Sequence, residues 1–280
     1  YTMEEARQCF EHFSPVQMEV PIQIANGVQA SFHVGGHILG SSIIRVVVSK
    51  NGESRTLLFS GDLGRENKPI LKDPVIFDYA DYVFVESTYG DREHASVENT
   101  TIQLEKAVNE THQSGGNILV PSFSIERSQE ILYYMNELLM QDRIPHIMTF
   151  LDSPMAVKVT EVFQKHPECY DQEMLRLVMQ NDSPFSFHGL KLVQSTRESK
   201  AINHIKGTIM VIAGSGMCTG GRIKHHLVNH ISRPESTVLF VGYQAHGTLG
   251  RLLVDGEKEV RILGQKFPVR ANIVRAHGFS

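Results

Sequence analysis

Before Gly90 the apolar positions of this chain alternate with polar ones over short stretches, whereas after it they gather into solid runs spaced by amphipathic segments of helix length. The first pattern predicts half-buried strands, and the second a parallel sheet covered by helices. Thr2 with Glu5 forms a capping-box pattern that opens a helix to about Phe13. Strands are predicted over 29–34, 43–49 and 54–60, the last two joined through Asn51-Gly52, a two-residue hairpin signal. The run 81–86 predicts a buried strand ending on the carboxylate of Glu86. Beyond Gly90, helices are expected over about 96–113, 125–140, 155–165 and 221–231. They alternate with strands over 117–120, 147–151, 190–194, 208–212 and 237–241. Ser153-Pro154 reads as an N-cap followed by a first-turn proline. The segment 167–188 reads as an irregular helical insertion, and 260–263 and 269–274 as returning strands. The expected division is 1–90 for a first domain, 91–265 for a second, and 266–280 for a strand returning to the first.

Composition narrows the class of protein. The 280 residues with 41% hydrophobic content suffice for a full core. No apolar stretch nears the roughly 20 residues that span a bilayer, so no membrane partner is expected. The acidic opening Tyr1-Thr2-Met3-Glu4-Glu5 does not read as a signal peptide, and a start at Tyr1 predicts a piece of a longer chain. Three widely spaced cysteines, Cys9, Cys169 and Cys218, fit a reducing, cytoplasmic setting rather than a disulfide framework. A net charge of −4 excludes a global basic field, so any polyanion must be held by a local patch.

The candidate chemistry sits in three glycine-bounded loops at strand ends: Gly36-His37-Ile38-Leu39-Gly40-Ser41, Ser60-Gly61-Asp62-Leu63-Gly64-Arg65 and Glu86-Ser87-Thr88-Tyr89-Gly90. His37 between small residues can project its imidazole toward a metal, although a loop histidine can equally be solvated. Asp62 reads either as a turn aspartate or as a carboxylate able to bridge two cations. Glu86, at the end of an apolar run, reads either as a strand-end charge reaching water or as a carboxylate that orients a histidine. Two ligands are fewer than the three or four protein groups of a zinc site. Elsewhere, Gly214-x-Gly216 departs from a dinucleotide fingerprint, since Thr219 stands at its third glycine position. Its glycines serve either to let backbone N–H groups cradle phosphate or simply to turn the chain. His226 and His230, four apart on one helix, are expected on a solvated face rather than as a metal pair. Arg127, Arg222 and Arg251, each beside a glycine- or serine-rich loop, could form the local phosphate patch.

The three loops resemble motifs of the β-CASP family of the metallo-β-lactamase superfamily, a group of RNA-processing nucleases. The resemblance continues through Pro121-Ser122-Phe123-Ser124 with Arg127 and Gln129-Glu130, then Gly214 to Arg222, then Gly242-Tyr243-Gln244-Ala245 and Gly247 to Arg251. It implies an α/β fold: part of a metallo-β-lactamase αββα sandwich plus a Rossmann-like β-CASP domain with a parallel sheet flanked by helices. It also implies zinc-dependent hydrolysis of RNA phosphodiester bonds with two Zn2+ ions. His37 would bind one ion, Asp62 would bridge both as a catalytic ligand, and Glu86 would orient a proton-donating histidine. Ser122, Arg127, Ser215, Gly216, Gly220, Arg222, Gly247, Thr248 and Arg251 are the residues expected to hold RNA phosphates. The family's His-x-His-x-Asp-His motif would precede Tyr1 and its last histidines would follow Ser280, while His277 falls before their position. These residues alone are therefore expected to be metal-poor and inactive. RNA is the expected partner and a homodimer the candidate assembly. The alternative is a non-catalytic RNA-binding or scaffold module of the same fold; hydrolysis of a small ester would leave the long helix-strand region unexplained.

Overall fold

The computed structural model describes residues 1–91, 97–276 and 278–279. His277, Ser280 and the start of the helix expected from Ser96 lie outside the described residues. The chain forms two compact units, one of Tyr1–Lys68 with Lys72–Thr88, the other of Pro69–Leu71 with Tyr89–Ser280.

The first unit opens with helix α1 (Met3–Cys9), whose Thr2 and Glu5 form the reciprocal cap expected from sequence. A five-stranded sheet follows in the order β1 (Ile22–Ala25), β2 (Val28–Val34), β3 (Ser42–Lys50), β4 (Glu53–Phe59) and β5 (Tyr82–Phe84). Asn51 and Gly52 both take positive φ, 53° and 83°, which is the backbone of a type I′ turn, and Lys50 pairs with Glu53 across it. β5 runs parallel to β4 at the sheet edge. The expectation of a buried strand over 81–86 is corrected here, since Tyr82, Val83 and Phe84 are all exposed. An edge strand has a single hydrogen-bonded neighbour, and its apolar composition does not by itself cover it.

The second unit is α/β. Helix α2 (Val97–Gln113) leads to β6 (Ile118–Pro121), α3 (Arg127–Met140), β7 (Met148–Leu151), α4 (Pro154–Lys165), α5 (Gln172–Met179), β8 (Leu190–Leu192) and α6 (Thr196–Ile202). Then come β9 (Ile209–Ala213), α7 (Ile223–His230), β10 (Thr237–Phe240), α8 (Leu249–Val254), a hairpin of β11 (Glu259–Ile262) and β12 (Gln265–Pro268), and β13 (Asn272–Arg275). The sheet order is β13-β10-β6-β9-β7-β8 and every pairing in it is parallel. β6, β9 and β10 are buried along their whole length, which explains why they read as solid apolar runs rather than alternations. Leu119, Val211 and Val238 of the strands share a core with Leu227 and Ile231 of α7 and its end, each buried side chain contributing about 1.5–3 kcal/mol. Ser153 caps α4 through the Ala156 N–H, with Pro154 in the first turn, as expected.

Three expectations change. The strand placed over 266–280 does not return to the first unit: β13 pairs in register with β10, from Thr237 with Asn272 to Phe240 with Arg275. Phe279 then buries itself edge-on against Tyr134. Helices α6 and α8 were not expected, although the Ser195/Glu198 capping box of α6 was present as a signal. His226 and His230 do not lie on a solvated face; both are buried.

Burial pushes the His230 imidazole down to about 4, assisted by the charges of Arg233 and His226 and opposed by Glu235. Its folded value thus lies below the unfolded value of about 6.5. Between these two values the unfolded chain binds the extra proton, so stability rises with pH across that window and falls as pH drops toward 4. Urea melts of wild type and His230→Leu from pH 7 to pH 4 should show the variant with the shallower loss, by up to about 1.4 kcal/mol per pH unit. Parallel slopes would show that His230 is not protonated on unfolding.

Candidate functional site

Within the first unit, the strand ends carry the three loops singled out from sequence and bring their side chains together. β2 stops at Val34, and the chain turns through Gly35 and Gly36 before His37. The Ser41 hydroxyl accepts the His37 N–H at 3.0 Å and the Ile38 N–H at 3.3 Å, which fixes the loop around the imidazole. Asp62 follows β4, with its Oδ2 4.0 Å from His37 Nε2; the side chains are 79% and 38% exposed, so both face solvent. Glu86 follows β5. The Thr88 N–H donates to its Oε2 at 2.8 Å. That backbone bond, the Thr88 hydroxyl, the Leu63 N–H and the nearby His37 hold the Glu86 carboxyl below the usual carboxylate range against a small opposing effect of burial. Glu86 is therefore ionised and braces both the Asp62 loop and the vicinity of His37.

Other residues build this arrangement, and of these Lys68 lies outside the loops singled out from sequence. The Ser60 hydroxyl accepts the Glu86 N–H at 3.0 Å and donates to the Gly61 carbonyl at 2.6 Å, tying the second loop to the third. The buried Lys68 ammonium donates to the His37 carbonyl at 2.9 Å. The Gly64 N–H donates to the Gly35 carbonyl at 2.8 Å, and a Cβ at Gly64 would overlap the Gly36 backbone. Main chain lies on main chain there, and this contact sets the spacing of His37 from Asp62.

The second unit presents a separate set of loops. Because its strands are parallel, the segments after β6, β7, β9 and β10 all emerge at one sheet edge. From β6 the chain proceeds to the β7 side of the sheet and from β10 to the β13 side, so these adjacent strands form a topological switch point, where open α/β sheets bind ligands. Gln244 links two of the loops, donating from Nε2 to the Gly216 carbonyl at 2.9 Å and to the Gly242 carbonyl at 3.1 Å. Its amide occupies the space that Gly250 leaves by lacking a Cβ. Asp152, fully buried after β7, accepts from Arg222 at 2.7 Å, His226 at 2.7 Å and Ser199 at 2.6 Å. Burial works to raise its carboxyl, but these three bonds win and hold it below the usual range.

Residues 128–253 match the Beta-Casp domain. Over 277 residues, 99% of the chain, it is 37% identical to Ribonuclease TTHA0252 of Thermus thermophilus, of which it spans 63%. Residues 128–253 are a Beta-Casp domain. It is also 29% identical over its whole length to Transcription termination factor FttA of Methanocaldococcus jannaschii, spanning 45% of that protein. With the RNase J-like protein of the same archaeon it shares 27% identity over 99% of the chain and 65% of the relative. The chain thus spans less than two thirds of the length of these relatives.

The β-CASP loops are less cationic than the sequence suggested. Arg127 donates to Glu130 at 2.5 Å and lies 5.9 Å over the Phe279 ring. Arg222 is held by Asp152 and by the Gln194 carbonyl at 2.6 Å, and Arg251 by Asp255 at 2.8 Å. Each charge already faces a carboxylate, so the three arginines do not make a free phosphate patch. Ser122 is buried, with its hydroxyl on Ser128 and the Phe123 carbonyl, and therefore holds its loop closed. Ser215 and Gly220 bond to each other within the loop, and Thr248 caps α8 by accepting the Arg251 N–H. Gly216 packs against the Phe123 ring, and Gly247 turns the chain at φ 80°. What the edge does expose is aromatic: Phe123 and Tyr243, 42% and 48% accessible, stand on the loops after β6 and β10.

Among the described residues no group of three His, Cys, Asp or Glu side chains is placed to hold a metal ion. His37 and Asp62 fit as one nitrogen and one carboxylate donor for a divalent ion of zinc-like chemistry, but two donors do not complete a protein zinc site. Replacing Gly64 by Ala is expected to force the first two loops apart, lowering stability by about 1–3 kcal/mol and shifting the amide resonances of Gly35, Gly36 and His37. An unchanged melt and spectrum would show that the loops do not bear on each other.

Proposed function

We propose that this chain is part of a zinc-dependent ribonuclease that hydrolyses RNA phosphodiester bonds. The observation that carries the proposal is the convergence of His37, Asp62 and an ionised Glu86 on three strand-end loops of one unit. The printed names of the ribonuclease and RNase J-like relatives support the same reading. His37 and Asp62 would hold metal, and Glu86 would keep their loops in register. Two divalent cations supply a nucleophile at neutral pH and neutralise charge developing at phosphorus. With two donors among its described residues, the chain by itself would be metal-poor and inactive. The remaining donors, and a histidine to protonate the leaving oxygen, would come from the rest of a protein as long as its relatives. The three widely spaced cysteines fit action in the reducing cytoplasm.

In a protein of the relatives' full length, Asp62→Asn should lower RNA cleavage on the order of a thousandfold, and Glu86→Gln should lower activity or zinc affinity by about 10–100-fold. Cleavage is read on labelled RNA and zinc by elemental analysis. Stoichiometric zinc with intact RNA would replace the enzyme by a non-catalytic RNA-binding module.

The aromatic edge of the second unit predicts how RNA is gripped there. Base stacking on an aromatic ring contributes about 1–3 kcal/mol per base, while its loss leaves the salt dependence of binding unchanged. Phe123→Ala and Tyr243→Ala should each weaken RNA binding by that amount at an unaltered salt slope, measured by fluorescence anisotropy. A flatter slope with either variant would mean that phosphate contacts, not stacking, were lost.

A further inference from the structure

A cavity of about 530 Å³ lies between α6, α7 and the β11–β12 turn of the second unit, on residues that the nuclease reading does not use apart from Arg222. Its volume suits a small organic ligand. Lys200, Arg222 and His225 stand on its lining, Val228 and Leu263 provide an apolar wall, and no carboxylate lines it. Asp152 beneath the floor is bonded to Arg222, His226 and Ser199, and Glu198 accepts from the Ser195 N–H and hydroxyl. The floor is held by these bonds, and its polar face offers the Lys200 ammonium and the His225 imidazole on a chain of net charge −4.

Leu263 adds an independent observation. With Gly264 it forms the two-residue turn between β11 and β12, where Ile262 pairs with Gln265, and its φ is 48°. Asn, Asp and Gly are the residues that fit such a turn; a leucine there is strained. It is also 51% exposed. A bulky apolar side chain held at an unfavourable backbone position, facing water, on the rim of a cationic cavity is what a flat ring needs as a wall.

We infer that this cavity binds a mononucleotide unit, with its phosphate at Lys200 and His225 above the Arg222–Asp152 pair and its base against Val228 and Leu263. A simple anion would leave the apolar wall wet, and an uncharged ring would leave the cations unused; a nucleotide satisfies both. The inference stands apart from the nuclease reading, because it concerns equilibrium binding and no cleavage.

Titration calorimetry on the chain with adenosine 5′-monophosphate, inorganic phosphate, adenosine and a 5′-phosphorylated triadenylate tests it. The monophosphate should bind about tenfold more tightly than phosphate or adenosine. Lys200→Glu should weaken it by about tenfold or more. Leu263→Asn should raise the melting temperature, because Asn suits the turn, while weakening the monophosphate and leaving phosphate unchanged. Equal affinity for triadenylate and the monophosphate assigns the site to free nucleotide, and tighter triadenylate binding with the same sensitivity to Lys200→Glu assigns it to a strand end. Monophosphate binding no tighter than phosphate, or binding untouched by both variants, would overturn the proposal.

Discussion

The buried carboxylate of Asp152 is the point on which the second unit depends. It sits at the end of β7, yet its partners come from α6 through Ser199 and from α7 and the turn before it through His226 and Arg222. Arg222 carries the connection onward to the Val193 and Gln194 carbonyls beyond β8. Removing one partner of such a buried set typically costs about 3–5 kcal/mol, because the others keep charge with nothing to face. One carboxylate thereby fixes where two helices meet the sheet, and the end of the glycine-rich loop after β9 is fixed with them.

The first unit is organised by contact of a different kind. His37 and Asp62 are placed by glycine backbones lying on each other and by hydrogen bonds from Ser41, Ser60 and Lys68 to main-chain groups. The side chains that would meet a metal stay exposed, while the groups that aim them are mostly buried. Preorganisation of this kind leaves the polar tips available and removes the entropy of positioning them from the binding event. A similar division holds in the second unit, where Arg127, Arg222 and Ser122 turn onto carboxylates and main chain, and the Phe123 and Tyr243 rings face outward.

Much of this was legible in the residues themselves. The Thr2–Glu5 box, the Asn51-Gly52 turn and the Ser153-Pro154 start are signals confined to a few neighbouring positions, and each appears in the structure where it was expected. The solid apolar runs at β6, β9 and β10 announced a sheet covered on both faces. The candidate trio was legible for the same reason, as polar residues flanked by glycine at the ends of apolar runs. The supporting role of Lys68, and the contacts by which Ser60 and Gly64 tie the loops together, were not, because each is made to a residue distant in the sequence.

The sequence by itself determined the local vocabulary: which segments form strands and helices, where chains turn, and which side chains carry chemistry. Tertiary structure alone decided the partners. It set β13 beside β10, left β5 as an exposed edge, buried His226 and His230, and placed the Asp152 carboxylate against Arg222. Local signals act through dihedral preferences and neighbours within one turn of chain, whereas burial and charge pairing depend on residues such as Asp152 and His226 that lie far apart in the sequence. Whether an arginine is free for a phosphate or engaged with an aspartate is therefore a property of the fold.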